Sequence, residues 1–131
     1  MNLVDYGINL KKMFDKTFSN LDFDYILIEN QIGPLALRMK SLQGMIMQHF
    51  IEKNQVNIIA VNSINKLKDF LGNKKTTYSE RKKEGINICK NCIIKEYDTD
   101  HKWNIHFDKH KKKDDLADCF LQCLWFINNK L

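Results

Sequence analysis

Proline is almost missing from the chain, with one residue, Pro34, among 131. Together with 44% hydrophobic and 28% charged residues, that scarcity excludes proline-rich, fibrous and disordered classes and leaves a globular protein. No apolar run reaches the length needed to cross a bilayer. The opening "MNLVDYGINLKKMF" lacks the basic region, apolar core and small-residue cleavage site of a secretory signal, so an intracellular location with reduced thiols is expected. Internal repeats, low-complexity tracts and a composition break are missing too. The expectation is a single domain over 1–131, long enough to bury a core without staples.

What is present in excess is positive charge. The net charge is +5, and the lysines bunch in "LKDFLGNKK", "ERKKEG" and "KHKKKDD". Such clusters favour a polyanionic partner, because each phosphate contact by Lys or Arg releases condensed counterions. A lysine run is also the ordinary composition of a solvated face, so charge alone does not decide.

Hydrophobic spacing orders the chain into alternating elements. Residues 8–20 carry Ile8, Met13, Phe14 and Phe18 at helical spacing, and a strand is expected over 24–30. Gly33-Pro34 break the chain; 35–53 then places Leu35, Met39, Leu42, Ile46 and Phe50 on one helical stripe. Residues 56–61, "VNIIAV", read as a second buried strand. Strand, helix and strand in that order predict a right-handed crossover and two parallel strands in one sheet. A short helix closed by Gly72 follows, then a polar loop "NKKTTY" and a helix over 79–95 that Gly85 weakens in the middle. Residues 98–112 read as a polar, basic loop. A last helix over 113–129 groups Leu116, Phe120, Cys123, Leu124 and Ile127 on one face.

Two places carry candidate chemistry. "YILIENQ" runs four apolar residues into Glu29, and strands covered on both faces present functional groups at their carboxyl ends. The last helix opens "KKKDDLAD", where Asp115 and Asp118 are three apart and Asp114 and Asp118 four apart, so that they share a side. Capping and the helix dipole explain the first two acids cheaply. Asp118, beyond the first turn and between Ala117 and Cys119, is not explained that way. Glu29 on a strand end with Asp115 and Asp118 on a neighbouring helix makes three carboxylates that suit a hard divalent cation, Mg²⁺ or Mn²⁺. An acidic cluster of this kind beside a basic surface points to phosphodiester hydrolysis. A zinc cluster drawn from Cys89, Cys92, His101, His106 and His110 is the competing constellation. The apolar context "INICKNCII" favours core cysteines and loop histidines instead, with Cys119 and Cys123 on the apolar side or edge of the last helix.

Taken in order, "ILIENQ", "LRMKSLQGMIMQHF", "VNSINKLKDF", "YSERKKEGI" and "KKKDDLADCFLQCLWF" resemble the RuvC-like Holliday junction resolvases of poxviruses and other large cytoplasmic DNA viruses, which are similar to the fungal mitochondrial resolvases. The likeness covers nearly the whole chain from about residue 20. It implies an α/β, RNase H-like fold, a homodimer, and Mg²⁺-dependent paired incision of four-way and branched DNA during viral recombination and replication, in the cytoplasm of the infected cell. It also implies roles for Glu29, Asp115 and Asp118 as catalytic metal ligands, with a supporting basic residue at Lys82 or Lys83, Lys82 first. Arg38, Lys40, Lys66, Arg81, Lys82 and Lys83 are the expected DNA contacts.

The family's chain begins with three strands, the first of which holds another catalytic aspartate in a D-x-G-like context. "VDYGINL" imitates that context through Asp5 and Gly7, but no second and third strand follow. Residues 1–20 are therefore expected to be the family's first helix, with the leading strands lacking, the mixed sheet incomplete at its N-terminal side and the chain a truncated product or fragment. Two other classes stay open: a catalytically impaired DNA-binding or dimerisation module, and a small zinc-binding interaction protein.

Overall fold

The structure, a computed structural model, describes residues 2–72 and 74–131, apart from the side chains of Leu35 and Ile94. The chain forms a mostly helical α/β protein that divides into two compact units, Met1–Asn62 and Ser63–Leu131.

The first unit is built on a strand–helix–strand motif. Helix α1 (Leu3–Phe18) starts with a reciprocal cap in which Asn2 accepts from the Asp5 amide and Asp5 accepts from the Asn2 amide. Asp5 is thus a capping residue inside a helix. Strand β1 (Ile26–Glu29) and strand β2 (Ile58–Val61) pair in parallel, Ile26 opposite Ile58 and Glu29 opposite Val61, as the crossover pattern predicts. Among the described residues these two strands make the whole sheet. Helix α2 (Leu37–Glu52) links them after a 3₁₀ turn at Pro34–Ala36, where Gly33 takes a positive φ of 103°.

The unit's core is aromatic. Phe14 and Phe18 of α1, Phe23 before β1, and His49 and Phe50 at the end of α2 pack with ring centroids 5.2–6.3 Å apart, mostly edge to face. Phe50 is buried, as its stripe predicts, whereas Met39 on the same stripe is half exposed and Leu35 lies outside the described side chains.

The second unit is helical. After a 3₁₀ turn at Ser63–Asn65, helix α3 (Lys68–Leu71) is closed by Gly72, whose amide donates to the Lys68 carbonyl from a positive φ of 57°. Asn73, first residue of the expected polar loop, lies outside the described residues. Helix α4 (Tyr78–Cys92) begins where Thr77 and Glu80 form a second reciprocal cap, one residue earlier than Ser79, and continues into a π turn at Ile93–Tyr97.

The expected loop 98–112 is corrected by helix α5 (Lys102–Lys109). Buried Asp98 accepts from the amides of Trp103 and Asn104 at 3.1 and 2.8 Å, satisfying first-turn donors, and Phe107 is buried from the same helix. A lysine- and histidine-rich surface hid this single apolar anchor.

Helix α6 (Lys113–Lys130) packs on α4. Leu67, Cys89, Phe107, Ala117 and Leu121 form the core, flanked by Ile86, Leu116 and Phe120. The buried row of α6 is therefore Ala117, Leu121, Gln122 and Phe126, one position round from the expected face; Cys119, Cys123 and Ile127 are exposed. Gly85 of α4 is buried and faces Leu121 of α6, where a Cβ would make an ordinary contact at 3.8 Å from Leu121 Cδ1.

Candidate nucleic-acid interface and acidic helix

In the first unit, Glu29 is the last residue of β1 and half-buried. The amides that follow it are tied down from α2. Gln43 accepts from the Gln31 amide at 2.8 Å and donates to Asn30 Oδ1 at 3.4 Å, while Asn30 donates to Asn62 after β2 at 3.3 Å. The strand end that presents Glu29 is held by side-chain amides, and Gln43 and Asn62 were not singled out by sequence. Lys40 lines a shallow depression beside Asn30, Gln31 and Gln43, and Arg38 is exposed on α2.

The second unit contains an open groove of about 740 Å³. Six cations line it: Lys66, Lys68, Lys74, Lys75, Arg81 and Lys82. Lys66, Arg81 and Lys82 are expected contacts that the fold brings together. Lys68, Lys74 and Lys75, from the lysine-rich "LKDFLGNKK" run, join them in the lining. Lys83 is exposed on α4 and is not part of this lining.

One acid, Asp118, lines the same groove. Its carboxylate takes the Lys66 ammonium at 2.8 Å; the Lys66 side chain is only 19% exposed, against 40% for Asp118. A turn of helix earlier, Asp114 takes Lys82 at 3.2 Å and Lys112 at 3.8 Å. The hydrogen bond between them lowers the Asp114 pKa from the usual carboxylate range and raises that of Lys82, which also lies over the Tyr78 ring at 4.9 Å. Asp115 is exposed on α6. Oxygen-only donors on one helix fit a hard divalent cation in kind. Among the described residues, however, no group of three or more His, Cys, Asp or Glu side chains is assembled to hold a metal ion.

Of the thiol and imidazole candidates, Cys89 and His106 line one mostly apolar cavity with Trp103, Phe107 and Phe120. Cys89 is fully buried in the core, where desolvation pushes its thiol up to about 12. His101 and His106 are exposed on and before α5, and His110 accepts from the Lys112 amide ahead of α6.

The chemistry that this groove suits is the binding of a polyanion by a row of ammonium and guanidinium groups. Comparison with known proteins makes the assignment specific: a family model described as "Poxvirus A22 protein" matches residues 1–130, and the chain belongs to that family, whose A22 protein is the poxvirus Holliday junction resolvase. No curated protein and no solved structure gave a match. Among the described residues no helix is long and apolar enough to cross a membrane.

Proposed function

We propose that this resolvase-family chain is a structure-specific endonuclease that hydrolyses phosphodiester bonds of four-way and branched DNA during viral recombination and replication. In this reading it is one RNase H-like domain, acts as a homodimer, and works in the cytoplasm of the infected cell. The observation that carries it is the groove of six cations with an acidic helix at its edge. Lys68, Lys74, Lys75 and Arg81 would hold backbone phosphates, and Lys82, already oriented by Asp114 and Tyr78, would stand beside them. Glu29, Asp115 and Asp118 would hold Mg²⁺, or Mn²⁺ in its place, which when bound supplies positive charge to the phosphate under attack.

The experiment is junction binding as a function of salt. Each phosphate contact contributes about 0.9 to the slope of log K against log salt for duplex DNA. The double variant Lys75→Ala, Arg81→Ala should bind a four-way junction more weakly, with a slope reduced by up to about 1.8. A slope equal to that of the unaltered protein would return these residues to an ordinary solvated face.

A catalytically impaired DNA-binding module is the second reading, and one observation favours it. Asp5, the residue that imitates the family's first aspartate, caps α1 rather than ending a strand.

A further inference from the structure

We propose that Tyr78 is a base-stacking platform: its ring receives a nucleobase left unstacked at the branch of a DNA junction, so that the groove distinguishes branched or single-stranded DNA from linear duplex. The inference rests on the reading of the groove as a DNA site and adds a selectivity that its cations alone do not supply.

A row of ammonium and guanidinium groups tracks any phosphate backbone and needs no apolar surface among them. In this groove, however, Tyr78 is 77% exposed and Ile64 60% exposed, and both line it beside Lys66, Arg81 and Lys82. A single exposed apolar side chain is ordinary on a protein surface. What sets Tyr78 apart is how it is held. It is the first residue of α4, and the reciprocal cap between Thr77 and Glu80 fixes the backbone on either side of it. The Lys82 ammonium lies 4.9 Å from the ring centroid and is held by Asp114 at 3.2 Å, while Arg81 Nε donates to Thr76 Oγ1 at 3.0 Å. An exposed ring on a fixed backbone, flanked by oriented cations, is the arrangement that holds unpaired nucleotides: the base stacks on the ring and the cations take the adjoining phosphates.

A base inside an intact duplex has both faces covered by its neighbours and has none to offer the ring. A base in a single strand or at a branch point exposes a face at far lower cost. The Lys82 ammonium occupies one face of the Tyr78 ring by cation–π attraction, so the base takes the opposite one.

The test is binding of the purified full chain, without divalent cation so that nothing is cut, to a fluorescein-labelled four-way junction, a single strand and a linear duplex, read by anisotropy. Tyr78→Ala should weaken binding of the junction and the single strand about 5- to 100-fold, as for loss of one stacked base, and should change duplex binding less than about twofold. The slope of log K against log salt should match that of the unaltered protein, because an uncharged ring releases no counterions. Tyr78→Trp should keep the binding, whereas Tyr78→Leu, apolar but without a π face, should lose most of it. Equal losses on all three DNAs, or no loss on the single strand, would overturn the proposal. The underlying reading fails separately: if the unaltered protein binds none of these DNAs in a salt-dependent way, the groove is no phosphate site and both statements fall.

Discussion

Leu121→Ala should be among the most damaging single changes in the second unit, because Leu121 is the bolt between α4 and the helix that carries the acids. Its side chain is fully buried and packs in a core with Cys89, Phe107 and Ala117, themselves at most 3% exposed. Truncation of a buried Leu costs about 2–5 kcal/mol, the larger values arising where the surroundings cannot collapse into the void. Gly85 on α4 offers no side chain to fill the void, while Ile86, Leu116 and Phe120 around the same core can collapse in part, so a loss of about 2–5 kcal/mol is expected. Against a typical stability of about 5–15 kcal/mol this is severe but need not prevent folding. Both tryptophans, Trp103 and Trp125, lie in this unit, so urea unfolding followed by their fluorescence reports it directly. A loss below about 1 kcal/mol with an unchanged denaturant slope would mean that α6 is not seated on α4 through Leu121.

Two further outcomes follow from the same unit. Asp98→Ala removes the acceptor for two α5 amides and should cost about 1–3 kcal/mol, with faster amide hydrogen exchange from Trp103 to Phe107; unchanged protection there would refute the cap. The Cys89 thiol ionises near 9 when unfolded and is pushed up to about 12 by burial, so its contribution is complete below about pH 9 and is lost as pH rises from 9 towards 12, where only the unfolded chain gives up the proton. The alkaline loss of stability should accordingly be shallower in Cys89→Ala than in the unaltered protein, and parallel curves would show that the thiol is not desolvated.

Element type was legible from periodicity but burial was not: the two strands expected to be buried bury only Ile26 and Val61, and Ala60 is exposed. The β1–α2–β2 motif follows from two short apolar runs around an amphipathic helix, and its parallel pairing follows from connectivity alone. Helix α5 was hidden because one buried phenylalanine and one capping aspartate five residues before Trp103 leave no repeating stripe. The face of α6 was misplaced by one position because Leu116, Ala117, Phe120, Leu121 and Leu124 offer two overlapping stripes, and the choice between them is made by packing against other elements of the unit, beyond any local pattern. At the candidate site, Arg81 and Lys82 announce themselves as a basic run opening a helix. The pairing of Lys66 with Asp118 spans most of the second unit in sequence and depends on where the 3₁₀ turn meets α6, which no local pattern encodes.

The central claim is that this member of the resolvase family cuts branched DNA, and cleavage of an end-labelled four-way junction with Mg²⁺ tests it most directly. Paired nicks on opposing strands are expected, and Glu29→Gln, which removes one anionic donor while keeping side-chain shape, should abolish them and leave junction binding intact. Junctions that are bound but stay uncut, whatever the divalent cation supplied, would contradict the account.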